Sequence, residues 1–153
     1  MTEKIKILAT NRKAFHEYHI GDKFEAGIAL LGSEVKSCRL GRIQLKDSYV
    51  RIQGNDAFLL NCNINPYEYA RAGTLDPERP RRLLLHKREL KKLYGHCTLK
   101  GYTIIPLRVY LRNGRVKLEI ALARGKKIYD KRERDKARSV EREVRQSLRE
   151  SRD

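Results

Sequence analysis

The sequence predicts a mostly β protein with short helices: a small OB-like β-barrel over residues 1–125 and a basic tail over 126–153. Three observations carry that expectation. Two segments alternate apolar and polar residues on either side of a glycine-containing turn, the period-two pattern of hairpins. Short runs of helical period lie between the strand-like segments, each followed by glycine. After Gly125 the apolar residues almost disappear, so nothing remains there to offset the entropy of ordering a packed chain.

Taken in chain order, "KAFHEYHI" suggests a helical turn near the N-terminus. "IGDKFEAGIALL" reads as a strand with a bulge at Gly27. "GSEVKSCRLGR" predicts a short helix with Ser33 as N-cap, Val35 and Cys38 on one side and Gly41 as its stop. "SYVRIQGNDAFLLNCNINPY" predicts a hairpin. Its Ser48, Val50 and Ile52 pattern with Phe58, Leu60, Cys62 and Ile64 across a Gly54-Asn55-Asp56 turn. "ARAGTLDPERPRR" is a loop broken by Gly73, Pro77 and Pro80. "HKRELKKLYG" sets Leu90, Leu93 and Tyr94 at helical spacing, with Gly95 as C-cap.

The last hairpin is the clearest. In "YTIIPLRVYLRNGRVKLEIALA" the pair Asn113-Gly114 suits a type I′ turn, whose two central positions both need positive φ. Thr103, Ile105, Leu107, Val109 and Leu111 alternate on one face before it, and Val116, Leu118, Ile120 and Leu122 after it. Arg115, Lys117, Glu119 and Ala121 form the outward set. Pro106 has no N–H for a ladder and predicts an edge or bulge. Five or six strands are expected in all.

Charge narrows the function. Against 35 Lys and Arg stand 19 Asp and Glu, a net of +16, with a mean hydropathy of −0.69. Residues 126–153 hold 11 basic and 7 acidic side chains, a net of +4, which leaves +12 on residues 1–125. The folded part therefore supplies most of the positive field, and a neutral domain with a basic tail is excluded. Such an excess suits a partner of nucleic acid or another anionic surface. Cys38, Cys62 and Cys97 form no C-x-x-C and no disulfide framework, which fits a reducing compartment. No apolar run approaches ~18 residues, and "MTEKIKILATNRK" is too charged for a signal peptide. The expectation is a cytoplasmic protein with no membrane partner.

Enzyme chemistry finds little footing. His16 and His19 flank Glu17 and Tyr18, but no third ligand is spaced near them, so no metal site is read. His96 and Cys97 are adjacent and do not readily converge on one atom. There is no P-loop, G-x-S-x-G or dinucleotide fingerprint, and no cofactor is expected. "TNRKAFHEYHIGDKFEAGIAL" and "GSEVKSCRLGR" instead interleave cations, aromatic rings and amides. Looped or single-stranded RNA takes that mixture, with cations for phosphates and planar groups for stacking. On residues alone three readings stay open: an RNA-binding protein, a small RNA-processing enzyme using His16 and His19, and a permanent ribosomal component.

The tail has a logic of its own. Ala137, Val140, Val144 and Leu148 fall at spacings of 3, 4 and 4, a stripe within about 80° on a helix. That is too narrow to hold a helix alone in water. The tail is expected to be disordered when free and helical when bound.

Six blocks occur in order: "NRKAFHEY", "FEAGIALLGSEVKSCRLGR", "SYV", "LLLHKREL…LYG", "GYTIIPL" and "ARGKKIYDKR". Together they resemble the SmpB family, the SsrA-binding proteins of bacterial trans-translation, over essentially the whole chain. The resemblance implies a non-enzymatic OB-like barrel that binds the tRNA-like end of transfer-messenger RNA. It also implies delivery, with elongation factor Tu, to stalled ribosomes, where the tail enters the empty mRNA channel beyond the decoding centre and folds as a helix. The tail then stands in for codon–anticodon pairing. By the same resemblance Asn11, Lys13, His16 and Tyr18 match an RNA-contact block. Glu25 matches a carboxylate implicated in RNA binding, Leu84 falls in the "LLL" stretch, and Lys117 lies on the outward face of the final strand. Lys36, Arg39 and Arg124 complete the expected RNA-binding set. In the tail, Gly125 matches a flexible exit, Lys126 and Lys127 follow as phosphate neutralisers, and Asp130-Lys131-Arg132 match the family's "DKR". Tyr129 stands where many members carry His, and keeps the ability to stack but not to become cationic. Val140, Val144 and Leu148 are the expected locking face.

Overall fold

The computed structural model describes residues 4–66 and 76–126. In chain order its elements are β1 (Ile5–Thr10), α1 (Arg12–Glu17), β2 (Tyr18–Ile28), α2 (Gly32–Arg39), β3 (Ile43–Gln44), β4 (Tyr49–Gln53), β5 (Asp56–Leu60), β6 (Asn63–Ile64), β7 (Arg81–Leu84), α3 (Lys87–Lys100), β8 (Thr103–Arg112) and β9 (Arg115–Gly125). The class is mostly β with three short helices, as expected. Among the described residues there are nine strands instead of five or six. The expected tail helix lies outside the described residues. No helix among the described residues is long and apolar enough to cross a membrane.

Every pairing is antiparallel. Seven strands follow the order β1-β8-β4-β5-β7-β2-β9, β8 also pairs β9, and β3 pairs β6 separately. The long β8 is the hub. It takes β9 along one edge, and on the other β1 near its end and β4 near its start, with Val50 opposite Ile104.

The β8–β9 turn forms as the sequence predicts, with φ of 51° at Asn113 and 80° at Gly114. Val116, Leu118, Ile120 and Leu122 do face the main core, where they meet Ala26, Val50, Leu59, Leu93, Ile104 and Val109. On β8 the single-face expectation fails. The register shifts between Pro106 and Arg108, so the inward side changes parity. Ile104 and Val109 point to the main core, while Ile105 and Leu107 join a second cluster with Ala14, Ala121 and Ala123. Ala121, expected outward, is completely buried because α1 covers that end of the outer face. Pro106 thus marks a bulge, as expected.

Three local expectations are corrected. The β4–β5 turn is the two-residue Gly54-Asn55, with positive φ only at the glycine, in place of a three-residue turn. One residue fewer moves the register by one: Val50 faces Leu59 and Ile52 faces Ala57, so Ala57 and Leu59 enter the core and not Phe58 and Leu60. The β2 bulge lies between Ile20 and Lys23, whereas Gly27 pairs regularly with both its neighbours. Helix α3 continues through Gly95 to Gly101, whose φ of 69° ends it.

Helix α2 starts at Gly32, not after Ser33. Its N-terminus is served by the Glu34 carboxylate, which accepts the Leu31 N–H at 3.0 Å. The same carboxylate lies against buried Arg81, at 3.0 Å from Nε and 2.7 Å from Nη2, and accepts from Arg79 as well. Arg81 also donates to the carbonyls of Cys62 at 2.6 Å and Pro77 at 2.9 Å. Glu34 and Arg81 together tie α2, the chain entering β6 and the short β7 into one unit.

Candidate nucleic-acid interface

The outer face of β7, β2, β9, β8 and β1 gathers the charged residues. Gly27 lies opposite Leu84 on one side and Lys117 on the other. Lys117 lies opposite Tyr110, and Tyr110 opposite Ile7. Leu84, Gly27, Lys117, Tyr110 and Ile7 therefore form one row across five strands. Their neighbours Leu83, Ala26, Leu118 and Val109 are buried in the main core, which fixes the row on the outside. A side chain at Gly27 would put its Cβ 3.2 Å from that of Leu84, so glycine permits the close approach of β7 there. Leu84 remains 53 % exposed, and Ile5 and Ile7 are similarly exposed at the far edge of the row.

The next row places two carboxylates face to face, Glu25 on β2 against Glu119 on β9, with Arg108 opposite Glu119. Like charges directly opposed on a sheet repel. Each is answered separately. Arg108 donates to Glu119 at 2.9 Å and lies 5.2 Å over the Phe15 ring. Arg112 reaches Glu25 Oε2 at 3.1 Å, and the Tyr110 hydroxyl donates to the same oxygen. Burial, and then the Glu25 hydrogen bond, raise the Tyr110 hydroxyl well above its ordinary value, so it stays a protonated donor.

The structure brings Glu25, Leu84 and Lys117 onto this one face. Asn11 is placed differently. It is buried, caps α1 by accepting the Ala14 N–H at 3.3 Å, and donates its side-chain amide to the Pro106 carbonyl at 2.9 Å. Its backbone N–H meets the Leu107 carbonyl at 2.8 Å. Asn11 thus serves to hold α1 against the β8 bulge.

The other expected residues fall in two further places. Lys13, His16, Tyr18, Arg124, Gly125 and Lys126 collect around α1 and the end of β9. There Lys13 pairs with Asp47 at 2.8 Å, and Lys126 donates to the Phe15 carbonyl at 3.4 Å. Hydrogen bonding to Asp47 raises the Lys13 pKa further, so its charge is held. Tyr18, half-buried at the start of β2, packs on the second cluster and pairs with Gly125. Arg124 lies 4.2 Å over the Tyr102 ring and donates to the Lys100 carbonyl at 3.2 Å. Lys36 and Arg39 are exposed on α2, and Arg39 reaches the Gly114 carbonyl at 3.3 Å. Lys127, Tyr129, Asp130, Lys131, Arg132, Val140, Val144 and Leu148 lie outside the described residues. Among the described residues no group of three His, Cys, Asp or Glu is placed to hold a metal ion.

Arg108, Tyr110 and Arg112 are the residues of this face that the sequence reading missed. Their alternation with Val109 and Leu111 was the available signal and already sets them on the outer side, but their meeting with Glu25 and Glu119 depends on pairing that the sequence does not show. Chemically the face offers cations for phosphate, a carboxylate acceptor, and exposed apolar side chains for base or ribose.

Fold and face define the class: a small, basic, mostly β protein with the surface chemistry of a nucleic-acid binder. The particular family is also clear. The chain belongs to the SmpB protein family, whose model matches residues 8–150. It is 51 % identical over 146 residues to the SsrA-binding protein of Caldicellulosiruptor bescii, covering 95 % of this chain and 92 % of that protein. The SsrA-binding protein of a Sulfurihydrogenibium species is 54 % identical over 143 residues, covering 94 % of each chain. Among solved structures, a chain of "tmRNA-SmpB: a journey to the center of the bacterial ribosome" is 44 % identical with a TM-score of 0.65. That match covers 77 % of this chain and 83 % of the other.

Proposed function

We propose that this chain binds transfer-messenger RNA in trans-translation, as a non-enzymatic, cytoplasmic RNA-binding protein. The observation that carries the reading is the outer sheet face, where Glu25 stands one row from Leu84 and Lys117 in a member of the SmpB family. Residues 1–125 act as an OB-type barrel closed through β8, a closure that the β8–β9 pairing supports by joining the last strand of the order to the hub. Its sheet face takes the tRNA-like end of the RNA, with Lys117 on phosphate and Glu25 accepting from a base amine, a contact no cation makes. Lys13, His16, Tyr18, Lys36, Arg39 and Arg124 add flanking RNA contacts.

Residues 126–153 enter the empty mRNA channel of the ribosome and lock as a helix on Val140, Val144 and Leu148, with Lys126, Lys127, Lys131 and Arg132 on rRNA phosphates. Tyr129 stacks in the decoding centre. Delivery occurs with elongation factor Tu. Twenty-eight residues reach on the order of 90 Å extended and about 42 Å as a helix, so the tail searches as a coil and then shortens.

The test uses chains ending at Gly125 and the Val144→Pro variant. The truncated chain keeps +12 of +16 and retains RNA affinity. About five phosphate contacts give a slope of about −4 in log K against log salt. Both variants deliver RNA to stalled ribosomes but fail to tag the peptide. Loss of RNA binding on truncation places the site in the wrong half; full tagging by Val144→Pro removes the helix from the mechanism.

A further inference from the structure

We infer that Tyr110 and Arg112 are positioning residues that hold the Glu25 carboxylate in one pose as a directed acceptor for the RNA base. This rests on the proposed role of Glu25 and deepens it. Glu25 sits on an open strand face, where a glutamate has three rotatable bonds and no reason to adopt one pose. Here both donors converge on a single atom: the Tyr110 hydroxyl and Arg112 Nη2 both meet Oε2. Anchoring Oε2 in this way fixes the plane of the carboxylate, and with it the direction in which Glu25 accepts.

The two donors are themselves fixed. Tyr110 is 7 % exposed, held in β8 between Lys117 and Ile7, and the Arg112 guanidinium lies 5.8 Å over its ring. Glu119, the one carboxylate directly opposite Glu25, is already engaged by Arg108, so it does not push Glu25 out of this pose. A preorganised carboxylate loses less freedom on binding than a mobile one, and a carboxylate of fixed plane accepts from an amine or hydroxyl of defined direction. The arrangement discriminates among RNAs and adds little to general affinity, because Arg112 cancels the charge that would repel phosphate.

Tyr110→Phe tests it, since only the hydroxyl is removed. Affinity is measured for the tRNA-like end of transfer-messenger RNA and for an unstructured RNA of equal length, in Tyr110→Phe, Glu25→Ala and the double variant. Tyr110→Phe is expected to weaken binding of the tRNA-like RNA about tenfold, leave the unstructured RNA unchanged, and cost nothing further once Glu25 is alanine. An equal loss in both backgrounds, or no loss, overturns the inference. Arg112→Gln serves as the second variant, with the same dependence on Glu25.

Glu25 side-chain mobility, read by NMR relaxation in the free protein, supplies a readout independent of RNA. It rises in Tyr110→Phe if the hydroxyl holds the carboxylate, and its constancy sinks the positioning role. If the unaltered protein shows no preference for the tRNA-like RNA, the functional reading falls, and mobility alone then decides the positioning.

Discussion

Replacing Glu34 by Gln should remove a large part of the protein's stability although only one oxygen changes. In the native fold the Glu34 carboxylate meets buried Arg81, the more exposed Arg79 and the Leu31 N–H. Glutamine keeps the size and one acceptor, but leaves the Arg81 guanidinium, 1 % exposed, without a counter-charge. Breaking one partner of a buried ion pair costs about 3–5 kcal/mol. Arg81 keeps two carbonyl acceptors, at Cys62 and Pro77, so the lower end applies, about 3 kcal/mol. Against a total of about 5–15 kcal/mol that is a major loss. In urea, at a slope of about 1.5 kcal/mol/M, it moves the midpoint by about 2 M.

Helix α3 supplies the control. Glu89 accepts the His86 N–H at 3.0 Å, the same reach-back contact at a helix start, but faces no buried arginine. Glu89→Gln should cost at most about 1 kcal/mol. The pH dependence carries a second check. Burial alone pushes the Glu34 pKa up, yet hydrogen bonds from Arg79, the Leu31 N–H and Arg81 outweigh it and hold the carboxyl below its ordinary value near 4.5. A lowered native pKa stabilises the fold above the ordinary value, and that contribution is lost as pH falls through the native one. The gap between the unaltered protein and Glu34→Gln should be full at neutral pH and shrink below about pH 4.5. Equal costs for Glu34→Gln and Glu89→Gln at neutral pH would refute the buried-charge argument.

Three further outcomes follow from the same geometry. Glu25→Ala raises the net charge yet should weaken binding of the tRNA-like RNA by about 1–3 kcal/mol while sparing non-specific RNA; unchanged or improved specific affinity in a filter-binding titration would remove Glu25 from the interface. Gly27→Ala puts a Cβ 3.2 Å from that of Leu84, so melting should change by less than about 1 kcal/mol while RNA affinity falls as Leu84 is displaced; intact affinity would detach Leu84 from binding. Burial pushes the thiol of Cys38 up to about 11 and that of Cys62 to about 12, so at pH 8 a thiol reagent should label only half-buried Cys97 quickly, and all three after denaturation. Fast native labelling of Cys38 would show that the α2 packing is wrong.

Much of this protein is determined within short stretches of chain. Asn113-Gly114 can turn only one way at low strain, so the β8–β9 hairpin and its inward set on β9 were legible. The same holds for the stop at Gly41, and for the net charge, which no fold can alter. Strands β1 and β7 were not legible, because "IKILAT" and "RRLL" become strands only through partners far along the chain. Registers were legible only to within the length of a turn. One residue fewer at Gly54-Asn55 exchanged Phe58 and Leu60 for Ala57 and Leu59 in the core, and the β8 bulge sent Ile105 and Leu107 to a second cluster.

The interface divides along the same line. That Glu25 and Leu84 were candidates could be read from family-like blocks in the sequence, and Lys117 from the alternation of the last strand. That they share one outer face, with Tyr110 and Arg112 on the carboxylate and Asn11 buried in the bulge, is decided by pairing among β7, β2, β9 and β8. Local sequence sets which way a turn bends and where charge lies. Which side chains meet is set by hydrogen-bonded registers between distant segments, and a shift of one residue in any of them reverses the face that a side chain occupies.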